Sequence, residues 1–186
     1  MATQNGDRKL YAFEEEAQNK LANGIRIGVD VVGSTLGVAG RNVLLERKFR
    51  TPIPLDDGYS AINSLILDDE LENLGISSLV DAANKTSEYV GAGTSTTIVL
   101  LGAIYEAGRK LMGGLMIGNS YEIKKEIQEA KKIVLEKLEE KSKPIKTKDE
   151  IKSVAIAAYA DENMAEIVAD MVDKVGDNGI VIVEEG

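Results

Sequence analysis

Apolar residues recur at intervals of three and four through most of this chain, the period of helices packed by one face. After a short strand expected at Lys9–Phe13, Glu14-Glu15-Glu16 put acids in a first helical turn. Ala17, Leu21, Ile25, Gly28, Val29 and Val32 then form one face as far as Gly33-Ser34. Asp68-Asp69-Glu70 open a second long helix that runs to Val90. Leu71, Leu74, Ser78, Ala82 and Lys85 make one line along it, and Leu79 and Ala83 the adjacent line. Ile98, Leu101, Ala103, Ile104, Ala107, Leu111 and Met112 fill most of the next helix surface, the pattern of a deeply buried helix, which Gly113-Gly114 breaks.

Asn119 with Glu122 caps a helix to Ser142. Its apolar stripe is Ile123, Ile127, Ala130, Val134 and Leu138, and its other side is a solvated face of lysine and glutamate. Pro144 stops the run, and the capping box Thr147-Lys148-Asp149-Glu150 opens a helix to about Ala158. Asp161 caps a further helix through Met164, Ile167, Val168, Met171 and Val172, which ends at Gly176. Strand patterns are few. Asn42–Glu46 and Phe49–Ile53 read as a hairpin turning at Arg47-Lys48, with Pro52 and Pro54 marking an edge. Ala61–Leu67 is a short apolar segment. Ile180–Val183 reads as a strand after a turn at Asp177-Asn178-Gly179. A strand needs a partner, so this element order suggests a chain cut inside a larger architecture.

Composition narrows the chemistry. Hydrophobic residues make up 44% and aromatic residues 4%, so the core is built from Ile, Leu, Val and Ala. The net charge is -9, a poor fit to nucleic acid or to an anionic membrane surface. Cysteine, histidine and tryptophan are absent. Cys/His zinc sites and Ser-His or Cys-His catalysis are excluded, and the lack of disulfides fits a reducing, cytoplasmic compartment. No apolar run approaches the roughly 20 residues of a membrane span. Carboxylates, hydroxyls, lysines, backbone amides and hard cations such as Mg²⁺ remain.

One stretch stands out: Gly91-Ala92-Gly93-Thr94-Ser95-Thr96-Thr97, a glycine turn followed by four hydroxyls at a helix start. Unpaired N–H groups and the positive end of the helix dipole suit a phosphate there. The same residues also suit an ordinary turn with Thr94 as N-cap. No Gly-Lys-Ser/Thr follows, so this is not a P-loop. Thr35-Leu36-Gly37-Val38-Ala39-Gly40-Arg41 is either a helix end or a second backbone cradle. Asp56-Asp57-Gly58 is either a turn with an N-cap at Asp57 or a carboxylate held out to orient a water or a metal.

Together these stretches resemble the N-terminal part of a group I, GroEL-type chaperonin. The resemblance rests on Thr35-Leu36-Gly37 with Gly40-Arg41-Asn42-Val43, on Asp57-Gly58, on Glu72-Asn73-Leu74-Gly75, on Gly93-Thr94 with Thr96, and on Asp173-Lys174-Val175-Gly176 with Gly179 and Val181. It spans about Leu10 to Gly186. It implies a mainly α fold: an equatorial-domain-like helical bundle with a small hairpin over residues 1–130, then part of an α/β intermediate domain over residues 131–186. Gly186 would lie at the hinge to an apical domain. The implied activity is that of an ATP-dependent protein-folding chaperonin subunit, in its nucleotide-binding and ring-assembly part. The implied cofactors are ATP and Mg²⁺. The phosphate loops would be Thr35, Leu36, Gly37 and Val38, and Gly91, Ala92, Gly93, Thr94, Ser95 and Thr96. Asp57 would orient the attacking water, with Asp56 beside the nucleotide. The implied partners are other subunits of a homo-oligomeric ring, the hairpin around Arg47 pairing with the neighbour. Unfolded clients and a co-chaperonin would engage only the apical domain.

Three positions depart from the family pattern. Ala92 stands where the family has its Mg²⁺-binding aspartate, Val38 where it has a proline, and Asp56 where it has a lysine. Phosphate-bound cations are normally held by one or two carboxylates, so the metal position is weakened. The family's second catalytic aspartate, its base-binding part and its apical domain would lie beyond Gly186. Weak or absent ATP hydrolysis by this chain alone follows, as does an uncovered apolar surface on the Ile98–Leu111 helix. The alternative is a non-hydrolysing structural or assembly chain on a chaperonin scaffold that has lost Mg-ATP chemistry.

Overall fold

The computed structural model describes residues 13–47, 49–113, 119–159, 161–176 and 179–182, and the chain divides between Ile123 and Lys124 into two compact units. The strand expected at Lys9–Phe13 lies outside the described residues except for Phe13, which precedes the first helix.

In the first unit α1 (Glu14–Thr35) lies against both α3 (Glu70–Val90) and α4 (Thr94–Gly113). The short α2 (Gly58–Asn63) closes one end. Ile25, Val32, Ile62, Ile76, Leu79, Ala83 and Ile98 form the core. Val32, Ile62, Leu79 and Ile98 are fully buried, each contributing about 1.5–3 kcal/mol relative to an exposed side chain. The face read from Leu21, Ile25, Gly28, Val29 and Val32 is the one α1 turns inward. On α3 the Leu79–Ala83 line is buried, joined by Ile76, whereas Leu74 and Ser78 of the other line are exposed.

Helix α4 corrects the expectation of deep burial and carries the uncovered apolar surface expected on its Ile98–Leu111 stretch. Ile98 and Gly102 are buried, but Leu100, Ile104 and Leu111 are each at least half exposed. The helix is apolar nearly all round, yet among the described residues the long helices α1 and α3 pack on one side of it only.

The start of α3 is fixed twice. Asp69 accepts from the backbone N–H groups of Leu71 and Glu72, at 2.9 and 3.1 Å, and its carboxylate pairs with Lys20 of α1. Hydrogen bonding to Asp69 raises the Lys20 ammonium above its usual value, and the same bond, with the capping bonds, lowers Asp69. Asn23 donates to Glu72 at 2.9 Å, so the same two helices are bonded again one turn along.

Strands β1 (Val43–Arg47) and β2 (Arg50–Leu55) form an antiparallel hairpin, with Val43 opposite Leu55, Leu45 opposite Ile53, and a register shift between Leu45 and Arg47. Pro54 pairs with Leu44 in a two-stranded sheet, where a missing N–H costs no inner ladder bond.

Helix α5 (Ser120–Lys141) begins in the first unit and continues into the second, and none of its residues is buried. Its expected stripe is present, with Val134 and Leu138 more than half exposed. In the second unit α6 (Lys148–Tyr159) packs on α7 (Glu162–Val175). The capping box is realised: Glu150 accepts from the N–H groups of Lys146 and Thr147, and the Glu150 N–H donates to Thr147 Oγ1. Asp161 accepts from Met164 N–H at 2.8 Å. The buried positions of α7 are Ala165 and Ala169, while Met164 and Ile167 of the expected line are half exposed. Small side chains on the inward face let the two helices approach closely. Residues 180–182 do not form the expected strand, and Ile180 and Ile182 are exposed; Val183 lies outside the described residues. A strand is defined by its ladder, and no partner strand is present beside them among the described residues.

Candidate functional site

The end of α1, the start of α2 and the start of α4 converge. A Cβ placed on Gly58, the first residue of α2, would lie 2.6 Å from Ser95 Oγ, 2.9 Å from Thr35 Oγ1 and 2.8 Å from Val32 Cγ1. Gly58 is buried, and any side chain there would have to displace these three neighbours. Three stretches that sequence separates by about 20 to 60 residues thereby share one point.

Thr35 Oγ1 donates to Val32 O at 2.8 Å, which ends α1. Gly37 then turns with φ +84, Gly40 N–H donates to Gly37 O at 2.9 Å, and Arg41 N–H donates to Ser34 O at 2.8 Å. Leu36 and Val38 are exposed. Between α3 and α4, Gly91 and Gly93 have φ +75 and +82, conformations that disfavour any side chain. No atom lies within 4 Å of a Cβ on either, and Ala92 between them is exposed.

Because Gly93 precedes α4, no side chain caps that helix. The N–H groups of Thr94, Ser95 and Thr96 and the hydroxyls of these three residues make no hydrogen bond among the described residues; Thr97 N–H donates to Gly93 O at 2.9 Å. An uncapped, hydroxyl-lined helix start of 20 residues fits an anion. Thr94 is therefore the first helical residue, not the N-cap.

Asp57 is the N-cap of α2. Its Oδ2 accepts from Ser60 N–H and from Ser60 Oγ, both at 2.9 Å, while Oδ1 has no protein partner among the described residues. One carboxylate oxygen thus fixes the helix and the other stays available. Asp56 is exposed, and its carboxylate has no hydrogen-bond or ion-pair partner among the described residues. No group of three or more carboxylates is gathered for a metal among the described residues. A cation here would depend on one or two acids and on phosphate oxygens.

Sequence reasoning missed one pair. Thr86 Oγ1, in the penultimate turn of α3, lies 3.1 Å from Thr97 Oγ1 in the first turn of α4. The available signal was Thr86 standing three residues beyond Ala83 on the inward face, where a hydroxyl needs a partner. A cleft of about 360 Å³ is lined by Ile25, Val29 and Tyr105, and one of about 430 Å³ by Asn73, Asp81 and Asn84. Neither includes Thr35, Asp57 or Thr94.

The model of the TCP-1/cpn60 chaperonin family matches residues 29–183. The chain belongs to the TCP-1/cpn60 chaperonin family. Its fold is similar to that of the chaperonin gp146 from the bacteriophage EL 2 (Pseudomonas aeruginosa), solved in two crystal forms in the presence of ATP-BeFx. The TM-scores are 0.71 and 0.72 at 22% and 23% identity, over 89% and 87% of this chain. The chain spans under a third of the length of those solved chains, 29% and 28%. No helix among the described residues is long and apolar enough to cross a membrane.

Proposed function

We propose that this chain is the nucleotide-binding and ring-assembly portion of an ATP-dependent protein-folding chaperonin subunit. Residues 1–130 belong to its equatorial domain and residues 131–186 to its intermediate domain. The observation that carries the reading is the convergence of Thr35, Gly58 and Ser95 beside the uncapped start of α4. Family membership and the ATP-BeFx present with gp146 support the same reading. The N–H groups and hydroxyls of Thr94, Ser95 and Thr96 hold phosphate oxygens, with the turn from Thr35 to Val38 on the other side. Gly91 and Gly93 let the backbone approach the ligand without a clash. Asp57 Oδ1 orients a water while Oδ2 keeps the carboxylate fixed. Mg-ATP, when bound, supplies the phosphoryl group and its neutralising cation. The exposed Leu44 and Phe49 of the hairpin suit pairing with a neighbouring subunit of a homo-oligomeric ring.

A second reading, a non-hydrolysing assembly chain, is favoured by Ala92 and Asp56, which leave alanine and a negative charge where metal and triphosphate would want the opposite. Calorimetric titration of ATP with Mg²⁺ into the wild type and Ala92→Asp separates the two. Binding by both, tighter in the aspartate variant, supports a nucleotide site. Binding by neither moves the assembly reading ahead.

A further inference from the structure

The connection from α3 to α4 has almost nothing of its own to hold it. It is three residues long, two of them glycines with positive φ, and glycine loses the most backbone freedom on ordering. No atom packs within 4 Å of a Cβ on either glycine. Among the described residues its anchors are at its base: Gly91 N–H to Ser87 O at 2.9 Å, Thr97 N–H to Gly93 O at 2.9 Å, and the hydroxyl pair Thr86–Thr97 at 3.1 Å.

The direction of that last bond follows from counting protons. Thr86 has one hydroxyl proton and donates it to Ala82 O at 3.0 Å. Thr97 must therefore be the donor to Thr86. A hydroxyl in a first helical turn ordinarily folds back on its own chain. Here it reaches across to the neighbouring helix. The four consecutive hydroxyls of α4 thus divide: those of Thr94, Ser95 and Thr96 have no protein partner among the described residues, and that of Thr97 is committed to α3. Ile98, the next residue, is fully buried, so the clasp joins the loop directly to the core.

We infer that the Thr97-to-Thr86 hydrogen bond is a clasp that positions the Gly91–Thr96 segment for an anionic ligand, Thr97 being a positioning residue that does not touch the ligand. This rests on the reading of that segment as a phosphate site. Thr97→Val keeps the branched shape and removes only the donor; Thr86→Val removes the acceptor; Thr97→Ser keeps the hydroxyl. The test is amide hydrogen exchange of the free full chain together with calorimetric binding of ATP with Mg²⁺. Both valine variants are expected to exchange faster at the hydrogen-bonded amides of Gly91 and of residue 97 while the α1–α3 contact is unchanged, and to bind ATP about fivefold more weakly, about 1 kcal/mol. Thr97→Ser is expected to restore both. Unchanged exchange at the amides of Gly91 and residue 97 in either valine variant overturns the clasp. So does faster exchange with ATP affinity equal to wild type, or a serine variant that behaves like valine. A wild type that binds no ATP sinks the phosphate reading itself, and with it the clasp's role in ligand binding.

Discussion

Gly24 of α1 and Glu72 of α3 meet backbone to backbone: a Cβ on Gly24 would lie 1.9 Å from the Glu72 carbonyl oxygen. Gly75 repeats the contact from the other helix, its Cβ position being 2.6 Å from Leu21 O. The two glycines set how closely the helices cross, and that closeness is what lets Ile25 and Ile76 reach a common core. Neither obstacle is a side chain that can rotate away. Gly24→Ala is therefore expected to cost about 3 kcal/mol, the upper end for overpacking, and to lower the denaturant midpoint without changing the slope. Loss below about 0.5 kcal/mol in urea unfolding would show that the crossing is looser than this.

Gly58 poses a different case, because its neighbours are the side chains of Ser95, Thr35 and Val32. Gly58→Ala is expected to keep the fold at a cost of about 2–3 kcal/mol, since the Ser95 and Thr35 hydroxyls and the buried Val32 must all shift. Their displacement separates the two segments that face the proposed ligand. ATP affinity should then fall about tenfold, about 1.4 kcal/mol. Equal affinity in wild type and variant, measured by calorimetry, would place the ligand elsewhere.

Much of this was legible in the sequence, and the exceptions have physical causes. Asp69, Asp161 and the Thr147–Glu150 box mark helix starts by local chemistry, so those starts could be read from the sequence. The hairpin could be read from two short strand-like runs and two prolines, but Arg47, expected in its turn, belongs to β1, and β2 runs on to Leu55. Periodicity shows that a face is apolar but not what covers it, so the burial of α4 was overestimated and the inward line of α7 was misjudged between Met164 and Ala165. Ile180–Val183 has strand composition, but a strand is completed by its partner. At the site, the stretches around Thr35, Asp57 and Thr94 were each visible. Their meeting point was not, because it depends on Gly58 having no side chain, a fact about three dimensions.

The α6–α7 pair carries an acid-sensitive ion cluster. Lys148 bridges Glu166, at 2.8 Å, and Asp170, and Lys152 reaches Glu166 at 2.7 Å. Hydrogen bonds from Lys148 and then Lys152 hold the Glu166 carboxyl down to about 2, from its usual 4.5. A carboxyl lowered in the fold binds fewer protons folded than unfolded, so it stabilises the pair above pH 4.5, and that contribution is lost as pH falls toward about 2. Lys148 is raised by Asp170 and Glu166, so its contribution is complete below its usual 10.5 and disappears only at more alkaline pH. Helicity followed by circular dichroism should therefore show an acid transition between about pH 4.5 and 2. Glu166→Gln should reduce it, Asp69 and Glu150, which hydrogen bonds also lower, keeping the remainder, and leave the alkaline limb. An unchanged acid limb in that variant would show the cluster to be screened by solvent.

Asp57 can be divided into its two oxygens. Oδ2 accepts both bonds from Ser60, a capping role that asparagine fills as well as aspartate. The charge and the free Oδ1 are what asparagine lacks. Asp57→Asn should melt within about 0.5 kcal/mol of wild type, whereas Asp57→Ala, with no cap, should lose about 1 kcal/mol. If the carboxylate only starts a helix, the asparagine variant is silent in every assay. If it also orients a water, the same variant folds normally and loses ATP turnover by about 100-fold or more, the usual weight of a positioned base. Thermal melting of both variants, beside phosphate release by the assembled chain, reads the two roles separately. Wild-type turnover in Asp57→Asn would reduce Asp57 to a cap and leave the water to another group.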